Sequence, residues 1–155
     1  MKLMNQKLAD DLLEAGKKEF LAKGFQGASL RDISASLGVT TGAIYRYYSD
    51  KEALFEALVE EPTRQLVDRY REIQQSFSEL PLERQLAGLP AVSDDGQMWM
   101  IRHIYSYFDA FKLISSCAAG TKYEHYIDTL IEIEVNASRT LICLLYTSPS
   151  PRDRG

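Results

Sequence analysis

SLRDISASLGVTTGAIYRYYSDKEALF, residues 29–55, decides how this chain is read. Ser29 precedes an apolar rhythm of Leu30, Ile33 and Leu37. Its hydroxyl suits the orphan amides of a helix start, and Asp32 lies near the positive helix end. That helix is short and stops at Gly38, which supplies the free φ a tight turn needs. Val39 plugs the angle to a third segment, which starts at Thr40 or Thr41 and runs through Ala43, Ile44, Tyr45 and Tyr47 to Tyr48. Ser49-Asp50-Lys51-Glu52 reads as a capping box for a fourth helix, with Leu54, Phe55, Leu58 and Val59 on it. Two short helices at a steep angle form a helix-turn-helix, whose second helix enters the DNA major groove. Thr40, Thr41, Gly42 and Ala43 are small, so that helix start can approach base edges. Tyr45, Arg46 and Tyr47 reach further, to phosphates or bases.

Upstream, Leu8, Leu12, Ala15, Glu19 and Ala22 recur along one line of a helix over 6–23, with Leu13, Phe20 and Leu21 beside it. Gly24 stands where a left-handed cap is expected, and Phe25 re-enters the core. Downstream, Pro62 interrupts a pattern that resumes at Leu66, Tyr70, Ile73 and Phe77. It reads as one long helix kinked at the proline, or as two helices. A short helix fits Pro81 to Leu89, and 90–96 reads as a loop. Residues 97–118 are apolar nearly all round, the mark of a central buried helix, closed by Gly120. A last helix is expected over 122–143. With no β pattern, the fold class is all-α. It consists of a DNA-binding head over 1–50, a helical regulatory domain over 51–143 that reads as truncated, and a tail over 144–155.

The bulk numbers agree with a cytoplasmic protein. Net charge is −4, but residues 1–51 hold eight Lys/Arg against six Asp/Glu, so the basic excess lies in the first third. Cys117 and Cys143 form no C-x-x-C pair, and no metal site is expected. No signal peptide is evident. Arg102, His103, Asp109 and Lys112 interrupt the most apolar stretch, which argues against a membrane span. No nucleophile–base pair, paired carboxylates or phosphate loop with supporting spacing points to an enzyme or a cofactor.

The 29–55 segment resembles the TetR family of bacterial repressors. The resemblance rests on Ser29, Ile33-Ser34, Gly38-Val39-Thr40, Gly42, Ile44-Tyr45, Tyr47-Tyr48, Lys51 and Leu54. Ser34 departs from the family's usual alanine. Ala15-Gly16-Lys17-Lys18-Glu19-Phe20 and Lys23-Gly24-Phe25 look like the family's first helix, so the match covers roughly 6–60. It implies that Ser29, Tyr45 and Lys51 hold phosphates, which sets register. Arg31, Thr40, Thr41, Ala43 and Arg46 would then face base edges. Lys51 reads alternatively as solvated, Arg31 as paired with an acid, and Tyr47 as either DNA contact or packing.

The resemblance also implies a homodimeric repressor on palindromic double-stranded DNA, released by a small-molecule inducer. Trp99, Arg102, His103, Tyr105, Phe108 and Phe111 are the candidate pocket residues, with plain core as the other reading of the aromatics. Asp109 with Lys112 suits a surface pair. Control by a protein partner, or a helical interaction module without DNA affinity, are the competing functions. The tail LLYTSPSPRDRG, residues 144–155, resembles translated sequencing-adapter read-through and is expected to be disordered.

Overall fold

The computed structural model describes residues 2–88 and 94–148. Among these there is no strand, and the helices are α1 (Lys2–Gly27), α2 (Leu30–Ser36), α3 (Thr41–Tyr45), α4 (Lys51–Ser78), α5 (Leu82–Ala87), α6 (Asp94–Ser106), α7 (Phe108–Ser116) and α8 (Tyr126–Thr147). The all-α expectation holds. Gly24 interrupts α1 with φ 71° and ψ 169°, the extended mirror region open to glycine, instead of the left-handed cap the sequence suggested.

The head packs α1, α2 and α3 against the start of α4. Leu12, Phe20, Ile33, Ile44, Leu54 and Phe55 are fully or almost fully buried there. Removing each such side chain from water is worth about 1.5–3 kcal/mol. Phe20 meets Phe55 edge-on at 5.1 Å, and Phe25 does so at 5.6 Å. Gly16 lets α1 approach α4: a Cβ on it would lie 3.0 Å from Leu54 Cδ2.

α4 is one helix of 28 residues that serves both halves, with Pro62 buried inside it. Proline lacks the amide that would bond Leu58's carbonyl. Thr63 Oγ1 donates to the carbonyls of Val59 (2.6 Å) and Glu60 (3.0 Å) in the same turns. Two side chains from the second half also converge here. Tyr126 Oη donates to Thr63 O (2.9 Å), and His103 Nε2 donates to Pro62 O (2.8 Å). A carbonyl can only accept, so this nitrogen carries the proton.

Several bonds join head to body. The Phe25 amide donates to Cys117 O (2.9 Å), and the Lys122 amide donates to Glu52 Oε1 (3.0 Å). Lys122 also pairs with Glu56 through its ammonium. Asp109 pairs with Lys17 of α1 at 3.2 Å, so the expected pair with Lys112 is replaced by a contact between the two halves.

α1 extends beyond the expected 6–23 at both ends, α3 stops at Tyr45 short of the expected Tyr48, and four later boundaries also differ from the sequence reading. The cap of α4 is Asp50, whose Oδ1 accepts from the Ala53 amide (2.7 Å), and not Ser49. The loop expected through Gly96 gives way at Asp94, where α6 begins; residues 89–93 lie outside the described ones. The single helix over 97–118 is two, broken at Tyr107 (φ −119°, ψ 39°), with Asp109 at the positive start of α7. It is not buried all round either, since Met98, Ile101, Tyr105 and Phe108 are exposed. Finally, α8 starts only at Tyr126 and runs on through Leu144–Thr147, which the sequence had assigned to the tail; the tail reading of 149–155 lies outside the described residues. Ile127, Ile131, Val135 and Ile142 leave an exposed apolar stripe along α8. No described helix is long and apolar enough to cross a membrane.

Candidate nucleic-acid interface

Ser29 starts α2 as its sequence promised. It has extended backbone geometry, and its Oγ accepts from the Asp32 amide at 3.3 Å. Accepting leaves the hydroxyl proton free to donate elsewhere. The Ser29 amide is itself held by Glu19 Oε1 (3.3 Å). At the other end, the Gly38 amide reaches Ala35 O (3.1 Å) and the Val39 amide reaches Ser34 O (3.0 Å). This pair of bonds, with Gly38 at φ 66°, is a Schellman turn, and it fixes where the chain leaves α2. Thr40 then caps α3 by its backbone, and its own hydroxyl makes no capping bond. Ser34, where the resemblance prefers alanine, is buried. It donates to Arg31 O (2.9 Å) and lies 3.4 Å from Thr41 Oγ1, which joins α2 to α3.

The predicted contact residues divide into two groups. Arg31, Thr40, Gly42, Tyr45 and Arg46 are exposed, Tyr45 by 55%. Thr41 and Ala43 are half-buried. Tyr47 is half-buried too, and its hydroxyl donates to Asn5 O (3.2 Å). Tyr48 packs against the core, and burial pushes its phenol up. Lys51 is also engaged: its Nζ lies 3.1 Å from Ala28 O, 3.4 Å from Gln26 O and 4.6 Å from the centre of the Phe25 ring.

Charge is arranged in favour of an anionic partner. Lys23 bridges Glu19 (2.8 Å) and Asp32 (3.0 Å), offsetting the carboxylate in the first turn of α2. Arg31 and Arg46 have no ion-pair partner among the described residues. Their fixed charges and forked donors are the groups best suited to phosphates and guanine edges.

The body carries an apolar groove of about 350 Å³ between α4, α6, α7 and α8, lined in part by Leu66, Ile104, Phe108, Phe111, Tyr126 and Leu130. Of the six candidate pocket residues it gathers Phe108 and Phe111 alone. His103 is buried and stacks on Trp99 at 4.7 Å while holding Pro62 O. Arg102 is exposed, and Tyr105, 73% exposed, stacks on Phe108. The sequence had not singled out Leu66, Ile104 or Tyr126 for this groove. They are ordinary apolar or aromatic positions of helices, and only the packing brings them together.

Residues 12–58 match the family model of bacterial regulatory proteins, tetR family. The HTH-type transcriptional repressor AcnR of Corynebacterium diphtheriae is 34% identical over 58 residues, 37% of this chain and 30% of that protein. The HTH-type transcriptional repressor KstR2 of Mycolicibacterium smegmatis is 28% identical over 106 residues, 68% of this chain and 51% of that protein. A solved transcriptional regulator from Aquifex aeolicus VF5, described as TerR/AcrR family, superimposes with a TM-score of 0.49 at 20% identity, over 84% of this chain and 66% of that one. The chain thus spans between about a third and a half of the length of these curated relatives. The likeness to the tetR family of bacterial regulatory proteins is thus carried by the head, Leu12–Leu58.

Proposed function

We propose that this protein is a DNA-binding transcriptional repressor that docks α3 in the major groove, acts as a homodimer in the cytoplasm, and is released by a small apolar molecule. The observation that carries the reading is the α2–α3 unit, whose Schellman turn presents exposed Tyr45, Arg31 and Arg46, with neither arginine held by a carboxylate among the described residues. Arg31 and Arg46 read base edges together with Thr40, Thr41 and Ala43; Gly42 keeps the start of α3 open; Ser29, Tyr45 and Lys51 set register on phosphates. The stripe of Ile127, Ile131, Val135 and Ile142 supports a partner copy along α8, and the groove at Phe108 and Phe111 supports an apolar inducer. A bound inducer shifts the population only if it favours the state that does not hold DNA.

Selection of bound sequences from random duplex DNA, at stated salt, tests this reading. A palindromic site is the expected product. Arg31→Ala relaxes preference at one position by about 1–3 kcal/mol, and Tyr45→Ala lowers affinity across sequences. No enrichment from a folded, dimeric sample overturns the reading.

A further inference from the structure

We propose that Ser34 is a positioning residue that sets the hydrogen-bonding polarity of Thr41: the Thr41 hydroxyl donates inward to Ser34 and turns only lone pairs toward DNA, so Thr41 selects a base edge that donates. The inference rests on the DNA-binding reading above and gives one of its contacts a defined chemistry. Ser34 lies in the last turn of α2 and is 3% exposed. Its carbonyl accepts from the Val39 amide (3.0 Å), so its backbone is held by the same turn that leads into α3. A serine hydroxyl has one proton to donate. Here that proton goes to Arg31 O at 2.9 Å. At the 3.4 Å contact with Thr41 Oγ1, Ser34 therefore accepts and Thr41 donates. This second bond is longer than the usual O–H···O range. Even so, it is the one hydrogen bond that the Thr41 hydroxyl makes among the described residues.

The relay Thr41 to Ser34 to Arg31 O has a direction, and the direction matters at the reading surface. Thr41 is the first residue of α3 and is half-buried. Its Cβ carries both the hydroxyl and the methyl, so a hydroxyl held on Ser34 fixes both in one rotamer. With its proton directed inward, Thr41 can only accept from a base. In the major groove the donors are adenine N6 and cytosine N4. Reversing either base pair puts thymine O4 or guanine O6, both acceptors, in that place. Two acceptors face to face leave each other unpaired. Adenine or cytosine is therefore favoured over thymine or guanine at the position Thr41 faces. Alanine at 34, which the resemblance prefers, has no oxygen to receive the proton. The Thr41 hydroxyl would then turn freely and pair with either kind of edge.

The test compares sequences selected from random duplex DNA by wild type, Thr41→Val, Ser34→Ala and the double variant. Thr41→Val keeps the shape and removes the hydroxyl, so it identifies the position that Thr41 reads. The wild type is expected to favour adenine or cytosine there by about fivefold, the equivalent of one neutral hydrogen bond. Ser34→Ala abolishes that preference and leaves the other positions as they are. Added to Thr41→Val, it changes nothing further at that position. A merely structural serine would instead weaken preference at every position alike. That uniform loss, an unchanged preference in Ser34→Ala, a wild-type preference for thymine or guanine, or no position altered by Thr41→Val overturns the proposal.

Three-bond NMR couplings about the Thr41 Cα–Cβ bond, measured on the full chain without DNA, provide the second readout. One rotamer in wild type and an average over rotamers in Ser34→Ala are expected. Averaged couplings in wild type, or unchanged couplings in Ser34→Ala, overturn the inward bond. A wild-type chain that enriches no site defeats the DNA reading instead, and the couplings still decide the bond between Thr41 and Ser34.

Discussion

Replacing Gly38 isolates the contribution of one backbone angle to the reading head. Gly38 adopts φ 66° as the residue after the end of α2, and a Cβ placed on it meets no atom within 4 Å. Steric conflict with neighbours is therefore absent, and only the backbone conformation resists a side chain. For alanine the left-handed region costs about 1–2 kcal/mol. The lower freedom of the unfolded chain returns about 0.4–1 kcal/mol. Gly38→Ala is expected to destabilise by about 1 kcal/mol, which at a urea slope of about 2 kcal/mol/M moves the midpoint down by roughly 0.5 M. Gly38→Asn should lose less, since asparagine tolerates this region, and Gly38→Val more, since a β-branched residue is an outlier there. Equilibrium urea unfolding of the four proteins gives the order Gly, Asn, Ala, Val. A valine variant no less stable than the alanine one, or an alanine variant above wild type, would refute the claim that the turn holds the angle.

Three further outcomes follow from packing and titration. Phe55→Ala removes the ring shared by Phe20, Phe25 and Tyr123 and should cost about 3–5 kcal/mol in denaturant unfolding; a loss below about 1 kcal/mol would mean that the cluster does not hold head to body. His103→Phe keeps an aromatic ring against Trp99 but deletes the donor to Pro62 O, for a loss of about 1–2 kcal/mol by the same measurement. Burial, and then the hydrogen bond to Glu134, push the Tyr70 phenol up to about 12, whereas an unfolded tyrosine titrates near 10. The folded state favours the neutral phenol, so this stabilisation is complete below pH 10 and is lost as pH rises toward 12; Tyr70→Phe should flatten that decline in unfolding midpoints.

Much of the head is legible from local chemistry. Ser29, Gly38 and the Leu30–Ile33–Leu37 spacing each admit one reading, because a cap, a left-handed turn and an apolar face are set by neighbours in sequence. The choice between Ser49 and Asp50 as cap is not, since both are good acceptors one residue apart and the tertiary path of the chain selects between them. Residues 97–118 misled because apolar content shows no direction: Tyr105 and Phe108 are as hydrophobic as core residues, yet both are more than half exposed and stack mainly on each other. Nor did the spacing of Lys51 reveal Gln26 and Ala28, which lie more than twenty residues upstream and meet it only after α1 has folded onto α4. The same holds for Asp109, whose i+3 neighbour Lys112 was the obvious partner and whose actual partner is Lys17.

The continuity of α4 sets a mechanical scale. Its 28 residues extend about 42 Å at 1.5 Å per residue. The head bears on its first turns, while His103 and Tyr126 grip it about two-fifths of the way along, at Pro62 and Thr63. Measured from that grip, the arm back to Lys51 is about 17 Å, and a rotation of about 12° about it displaces the head by roughly 3.5 Å. Successive base pairs are spaced about 3.4 Å apart. In the homodimer proposed above, a tilt of that size would carry one reading head past a whole base-pair step, and two heads matching a fixed half-site spacing would lose register together.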